Sequence, residues 1–164
     1  MIVIALGANL DSPVGPPAKT IAAALEILAR RGAAIVSVSR FYATPAWPDL
    51  SDPSFVNAAA RVETALSPAA LMKLLQDIET AFGRVRGAKN APRTLDLDLI
   101  DYEGRMEEGP PVLPHPRLAT RAFVLVPLAD VAPGWRHPAT GLTVEQLIGA
   151  LPSEERSAIR HAKT

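Results

Sequence analysis

The sequence predicts an α+β fold in which an antiparallel sheet carries helices on one face. Apolar or β-branched segments of strand length alternate with two segments of helical periodicity, in the order strand, helix, strand, strand, helix, strand. That order is typical of a split βαβ, or ferredoxin-like, sandwich, and further C-terminal elements follow it. A chain of 164 residues that is 48% apolar has the size and composition of one domain, so we expect a single domain over 1–164.

The strands are predicted from short apolar runs bounded by turn residues. They cover residues 2–6, 35–42, 55–64, 95–102 and 122–128. The first run ends in the turn Gly7-Ala8-Asn9. Residues 44–53 contain three prolines and two acids and are predicted to form a loop.

The helices are predicted from apolar residues at helical spacing and from residues that favour helix ends. The first begins at Pro16 and Pro17 and ends at Gly32, and the second begins at the cap Ser67 and ends at Gly83. A short third helix is predicted over 143–151. Residues 84–92 have no apolar period and are predicted to form a loop.

Composition excludes several classes of protein. The absence of Cys excludes disulfides, thiolate metal sites and a Cys nucleophile. The 17 acidic and 17 basic residues balance, which disfavours a nucleic-acid partner. No apolar stretch is long enough to span a membrane, and Met1 to Ala8 lacks the features of a signal peptide. We therefore expect a cytoplasmic protein without a nucleic-acid or membrane partner.

The segment from Gly83 to Asp101 holds the chemically informative residues. Asp96 and Asp98 alternate with leucines, so both carboxylates are predicted to lie on one face of a strand. Paired carboxylates repel each other unless a cation lies between them, and Mg²⁺ is commonly held by one or two carboxylates together with substrate phosphates. The basic residues just upstream are Arg84, Arg86, Lys89 and Arg93.

Two interpretations of this segment remain open from the residues alone. It is either a solvated strand edge beside a charged loop, or the two halves of a site for a polyphosphate and a metal ion. The chain has no G-x-x-x-x-G-K-[ST], G-x-S-x-G or H-E-x-x-H motif. A bound nucleotide would therefore be held by side chains and metal.

The motifs of this chain resemble those of the 6-hydroxymethyl-7,8-dihydropterin pyrophosphokinase family. The resemblance depends on ordered blocks spread from residue 5 to about residue 130. These are Ala5 to Leu10, Tyr42 to Pro45, Phe55 to Ala59, the set Lys89, Ala91, Pro92, Arg93, Asp96 and Asp98, the block Leu113 to His115, and Arg121 to Phe123. A single D-x-D motif would be weak evidence, whereas blocks in the expected order at compatible spacings are specific.

The resemblance implies a fold, a reaction and a set of site residues. The family fold is a ferredoxin-like sandwich, and its members transfer an intact pyrophosphoryl group from ATP to the pterin hydroxymethyl oxygen and release AMP. Two Mg²⁺ ions would be held by Asp96 and Asp98, and Arg84 and Arg93 would complete the catalytic set. The implied ATP-binding residues are Gln76, Glu79, Arg84, Arg86, Arg93, Leu99, His115 and Arg121. The implied pterin-binding residues are Thr44, Pro45, Trp47, Phe55, Asn57 and Phe123.

Other functions remain as alternatives. One is a different Mg²⁺-dependent nucleotidyl or glycosyl transferase that uses the same D-x-D motif, and another is an RNA-binding or regulatory module on the same fold. A third is a related protein that has lost activity. Only the pyrophosphokinase needs Phe55, Asn57 and Phe123 together at one site. We expect a monomer that acts on small molecules.

Overall fold

The main sheet is built around β1 (Ile2–Ala8), the apolar run that opens the chain. The computed structural model describes residues 1–85, 87 and 91–163. The other strands are β2 (Ala33–Val38), β3 (Tyr42–Thr44), β4 (Phe55–Thr64), β5 (Asp96–Tyr102), β6 (Glu107–Glu108), β7 (Val112–Leu113) and β8 (Arg160–His161). The helices are α1 (Pro17–Arg30), α2 (Pro68–Ala81), α3 (Ala122–Val131), α4 (Val144–Ala150) and α5 (Ser153–Ser157), with a short 3-10 helix at Leu118–Thr120.

The strands of the main sheet lie in the order β5, β1, β4, β3, β8, and β2 also pairs with β4. Every pairing in it is antiparallel, and β6 and β7 form a separate two-stranded sheet. The predicted mixed fold with an antiparallel sheet is therefore confirmed. The strand predicted over 35–42 is divided into β2 and β3, because Ser39 leaves the β2 pairing and its hydroxyl accepts a hydrogen bond from the Ala59 amide at 2.9 Å.

Helices α1 and α2 cover one face of the sheet, as their apolar stripes predict. Pro17 occupies the first turn of α1, and the Ser67 hydroxyl accepts from the Ala70 amide at 3.2 Å to cap α2. Leu97 and Leu99 of β5 are buried in the same core. The side chains that alternate with them, those of Asp96 and Asp98, therefore point away from α1 and α2.

The strand predicted over 122–128 is wrong, because these residues belong to helix α3. Ala122–Val131 is helical and packs with α4 against the opposite face of the sheet, where Val3, Ala59 and Ile100 are buried. Residues 122–128 are all apolar, and Asp130 is the one charged residue of α3, so the sequence lacks the polar face that reveals helical periodicity. Pro127 also argues against a helix in the sequence, because proline disfavours the interior of a helix. In the structure Pro127 is accommodated inside α3.

The alanines at the centre of β4 fit between the two layers of helices. Ala58 and Ala60 face the core beneath α1 and α2, whereas Ala59 faces α3. Their small side chains leave room for helices on both faces of the same strand. The second face is thus covered by α3 and α4 over part of its area.

An irregularity in β5 turns a third acid, Asp101, toward the face of the sheet that α3 covers. The pairing register between β1 and β5 shifts next to Val3, so that Asp101 lies opposite Val3. The buried Asp101 carboxylate accepts from the Trp135 indole at 2.9 Å and from the Gly104 amide at 3.0 Å. This carboxylate therefore connects β5 to the segment after α3.

The C-terminal segment returns to the sheet edge. Strand β8 pairs with β3, and the His161 ring stacks on Tyr42 with centroids 5.2 Å apart. Asp130 of α3 accepts from the Tyr42 hydroxyl at 2.8 Å and from the Arg40 guanidinium at 2.9 Å. These contacts fix β3, the strand that precedes the predicted pterin-side loop. The part of the chain that the structure describes contains no helix with the length and apolarity of a membrane span.

Candidate active site

The sheet aligns the residues predicted to bind two different substrates. Gly7 of β1 pairs with Asn57 on β4 and with Asp96 on β5, and two residues earlier Ala5 pairs with Ala59 and with Asp98. Residues in one such row project from the same face of a sheet. The sheet therefore brings Asn57 and the paired aspartates to the face opposite α1 and α2.

Gly7 is required by the close approach of its neighbour. A Cβ atom at this position would lie 2.9 Å from Oδ1 of Asn57, which is too short for an ordinary contact. The nearest atom of Phe55 would be 3.9 Å away. The absence of a side chain on β1 thus leaves space for the Asn57 amide.

Asp96 is held by two arginines that come from different segments. Nη1 of Arg84 donates to one carboxylate oxygen at 2.7 Å, and Nη1 of Arg93 donates to the other at 3.1 Å. Arg84 also contacts the carboxylate of Glu79 on α2. The acidic strand and two of the basic residues upstream, Arg84 and Arg93, therefore form one cluster.

Glu79 is a buried acid that contacts both Arg84 and strand β5. Its carboxylate accepts from the Leu97 amide at 2.7 Å and from the Arg84 guanidinium. Burial raises the pKa of Glu79 to about 7, although the Leu97 amide and Arg84 act in the opposite direction. Gln76 lies one turn earlier on α2 and is half-buried.

Asp98 lies two residues beyond Asp96 on the same strand face. Burial raises its pKa to about 6, and the negative charge of Asp96 adds to the rise, while Arg121, Arg84 and Arg93 oppose it. Nε2 of His115 is 3.9 Å from a carboxylate oxygen of Asp98. The carboxylate is thus destabilised in its charged form, and a cation bound beside it would relieve this cost.

His115 reaches the aspartates from the segment after β7. Its amide donates to the Ile100 carbonyl at 2.9 Å, and its Nδ1 accepts from the Arg117 amide at 3.2 Å. Burial lowers the pKa of His115 to about 4, and the positive charges of Arg121 and Arg117 lower it further. The imidazole is therefore neutral at pH 7 and carries its proton on Nε2, which faces Asp98.

The predicted pterin-side residues lie at the end of β3 and the start of β4. The Asn57 amide donates to the Thr44 hydroxyl at 2.8 Å, and Thr44 pairs with Phe55 across the strands. Both Thr44 and Asn57 are buried. The hydrogen bond fixes which way the Asn57 amide points, so its oxygen is turned toward Gly7.

The aromatic side chains near this end of the sheet differ in exposure. Phe55 is half-buried, whereas Phe123 at the start of α3 is 39% exposed and Trp47 is 73% exposed. The Arg121 guanidinium lies 5.4 Å from the centre of the Phe123 ring. Pro45 is exposed beside Trp47 in the loop after β3. These exposed groups are available to a flat, partly polar ligand.

Not every predicted residue is placed in the cluster. The Leu99 side chain is buried in the core beneath the helices, on the face opposite Asp98, so only its main chain is left for a ligand. Arg86 and Lys89 lie outside the described residues. Sequence reasoning missed the roles of Gly7 and Asn9, because the partners that reveal them are distant in the chain.

The acidic residues fit a magnesium ion that is shared with a phosphate ligand. Asp96 and Asp98 offer hard oxygen donors from one strand face, and burial beside a second carboxylate raises the pKa of Asp98. Among the described residues, no group of three or more acidic, His or Cys side chains is arranged to hold a metal alone. Mg²⁺ is usually bound by one or two carboxylates plus substrate phosphates, which matches this donor set.

The chain is similar to known proteins over most of its length. A family model described as 7,8-dihydro-6-hydroxymethylpterin-pyrophosphokinase (HPPK) matches residues 3–133. A Synechocystis protein named 2-amino-4-hydroxy-6-hydroxymethyldihydropteridine pyrophosphokinase is 40% identical over 148 residues, which are 89% of this chain and 73% of the relative. A Pseudomonas aeruginosa protein of the same name is 39% identical over 155 residues, 93% of each chain.

Solved structures show the same fold at low identity. A wild-type Plasmodium falciparum HPPK-DHPS matches with a TM-score of 0.66 and 14% identity over 90% of this chain. The chain spans 44% of that larger protein. A curated Arabidopsis thaliana relative, named a mitochondrial folate synthesis bifunctional protein, is 38% identical over 131 residues and is likewise longer, since the match covers 23% of it.

Proposed function

Because the chain belongs to the 7,8-dihydro-6-hydroxymethylpterin-pyrophosphokinase family, we propose that it transfers pyrophosphate from ATP to 6-hydroxymethyl-7,8-dihydropterin. The reaction forms a bond between the pterin hydroxymethyl oxygen and the β-phosphorus, and it breaks the bond from that phosphorus to the bridging oxygen, which leaves with AMP. The observation that supports this most directly is the row formed by Asn57, Gly7 and Asp96 across the sheet. In this row, a residue proposed to bind the pterin and one proposed to act on the phosphates lie on the two strands that flank β1.

On the phosphate side, the chain supplies positive charge around an acidic pair. Arg84 and Arg93 would bind phosphate oxygens, with Gln76, Glu79, Arg86, the Leu99 main chain, His115 and Arg121 around the nucleotide. Asp96 and Asp98 would hold two Mg²⁺ ions, which when bound neutralise phosphate charge and orient it. A neutral His115 can donate from Nε2 to a phosphate oxygen without adding net charge.

On the pterin side, the chain offers an amide and aromatic faces. Asn57 would hydrogen-bond the polar edge of the heterocycle, with its orientation fixed by the bond to Thr44. Phe55 and Phe123 would stack on the ring, and Pro45 and Trp47 would line the same pocket. Thr44 would contribute chiefly by holding Asn57.

Catalysis in this site would depend on position and charge. Phosphoryl-type transfer needs little covalent help from the protein, so in-line alignment and charge neutralisation supply most of the rate. The neutral histidine is held by a hydrogen bond before substrate arrives, which lowers the cost of reorganisation, and the two arginines already lie beside Asp96. The hydroxyl proton would pass to solvent as the new bond forms.

Several broader properties belong to the same proposal. We assign the chain the ferredoxin-like arrangement, which is supported by the strand order β5, β1, β4, β2 and by α1 and α2 on one face. We further propose that residues 1–164 act as a single-domain monomer in the cytoplasm, on small-molecule substrates of folate synthesis.

The test is to incubate the protein with ATP, Mg²⁺ and 6-hydroxymethyl-7,8-dihydropterin and to quantify AMP and pterin diphosphate. The variant with Asp96→Ala and Asp98→Ala should lose activity. The matched control is Glu154→Ala with Glu155→Ala, which removes two exposed acids from α5 and should keep it. ADP in place of AMP would refute the mechanism, and turnover of a different acceptor by the intact protein would favour another D-x-D transferase.

A further inference from the structure

Asn9 is a buried polar side chain in the turn after β1, and both ends of its amide are used. Only 4% of the residue is exposed. Its Oδ1 accepts from the Arg93 amide at 2.8 Å, and its Nδ2 donates to the Pro53 carbonyl at 3.0 Å. A buried amide is stable when both its oxygen and its nitrogen are hydrogen-bonded. If either group lost its partner, its desolvation would destabilise the fold, so the two bonds support each other.

The first bond belongs to a set that fixes the main chain of Arg93. The Arg93 carbonyl accepts from the amides of Asn9 at 3.1 Å and of Leu10 at 3.2 Å, while the Arg93 amide donates to the Asn9 side chain. The donor and the acceptor of this residue are thus both bound to the turn after β1. The point from which the Arg93 side chain extends toward Asp96 is therefore set by Asn9.

The second bond reaches the loop of the predicted pterin side. Pro53 lies in the loop between β3 and β4, two residues before Phe55. The Asn9 amide therefore joins the loop of the predicted pterin side to the arginine of the predicted phosphate side. These partners are 44 and 84 residues away in sequence, and the Asn9 side chain contacts both.

We propose that Asn9 is a positioning residue that fixes the pterin-side loop relative to Arg93 and thereby aligns the two substrates for transfer. The inference rests on the proposed function. Misplacement of reacting groups by about 1 Å costs on the order of 10²-fold in rate, while each substrate can still bind its own half of the site. Loss of the Asn9 side chain should consequently reduce kcat far more than it reduces the affinity for ATP or for the pterin measured separately.

The experiment compares Asn9→Ala and Asn9→Asp with the wild type in the AMP-release assay. Asn9→Ala removes both bonds and should lower kcat by about 10²-fold, with the separate dissociation constants for ATP and pterin changed by less than about threefold. Asn9→Asp keeps an acceptor for the Arg93 amide, but its carboxylate cannot donate to the Pro53 carbonyl. Its kcat should therefore lie between that of the wild type and that of Asn9→Ala. Amide hydrogen exchange should be faster in residues 45–54 of both variants, and near Arg93 in Asn9→Ala only.

Tyr102→Phe is the matched control. It removes one buried hydrogen bond to a main-chain carbonyl, that of Leu66, at the opposite end of β5 from Asp96. It should lower stability and leave kcat unchanged. A kcat in Asn9→Ala within threefold of the wild type would overturn the inference, as would unchanged exchange in 45–54. A wild type that releases no AMP would refute the proposed function, and the exchange measurements would still decide whether Asn9 connects the two segments.

Discussion

The side chain of Asn57 occupies the space that a Cβ atom of Gly7 would need, since the two would lie 2.9 Å apart. Gly7→Ala should therefore displace the Asn57 amide or break its bond to Thr44. Loss of one well-formed hydrogen bond to the ligand corresponds to about a tenfold weaker pterin affinity. Calorimetric titration with the pterin and, separately, with ATP should show the loss for the pterin alone.

Gly149→Ala is the control for this change, because nothing lies within 4 Å of a Cβ at that position in α4. It should raise helix stability and alter neither affinity. Equal pterin affinity in Gly7→Ala and wild type would show that the amide is not a ligand contact.

Glu79 should make stability depend on pH. Burial raises its pKa from 4.5 to about 7, so the folded protein binds this proton more tightly than the unfolded chain does. Its contribution to the free energy of unfolding is present in full below about pH 4.5 and is lost as pH rises through about 7. Urea unfolding at pH 5 and pH 8 should show the wild type losing on the order of 1–3 kcal/mol relative to Glu79→Gln. A difference that is constant with pH would contradict the raised pKa.

Asp130 should show the opposite dependence. Burial acts to raise its pKa, but hydrogen bonds from Arg40 and Tyr42 outweigh this, so the pKa is lowered below its ordinary 3.8. The carboxylate therefore contributes stability above pH 3.8 that is lost as pH falls through the folded pKa. Asp130→Asn should reduce the free energy of unfolding by about 1 kcal/mol at pH 7 and by less at pH 3. Equal losses at both pH values would exclude this explanation.

His115 should remain neutral across the working range of pH. Its pKa is lowered to about 4 by burial and by nearby arginines, so it contributes stability above pH 6.5 that is lost as pH falls toward 4. Nitrogen-15 NMR of the imidazole should report a proton on Nε2 at pH 7 and a titration midpoint near 4. A midpoint near 6.5, or a proton on Nδ1, would mean that the bond from the Arg117 amide is not maintained.

The sequence predicted those elements whose signals are local. Strand β4 and helix α2 were recovered because an apolar run, an apolar stripe and the Ser67 cap are visible within a few residues. The placement of both aspartates on one strand face followed from the alternation of Asp96 and Asp98 with leucines in β5. Helix α3 was mistaken for a strand because residues 122–128 are all apolar, and helical periodicity cannot be detected without polar residues on one face.

The remaining features depend on contacts between distant parts of the chain. Asn9 looks like an ordinary turn residue until the loop at Pro53 and the main chain of Arg93 are brought to it. Asp101 points toward Trp135 because the pairing register between β1 and β5 shifts, and no local sequence pattern predicts that shift. Glycine and asparagine are common in turns, so their types alone did not indicate a site.

The size of the Ala59 side chain bears on the position of α3. Ala59 is buried on the face of β4 that packs against α3, the helix whose first turn carries Phe123. A larger residue there would push α3 outward, because packed interiors accommodate added volume by shifting backbone. We therefore expect the volume of residue 59 to set how far Phe123 stands from the sheet that carries Phe55 and Asn57, and so the thickness of the ring that the proposed pterin pocket can hold.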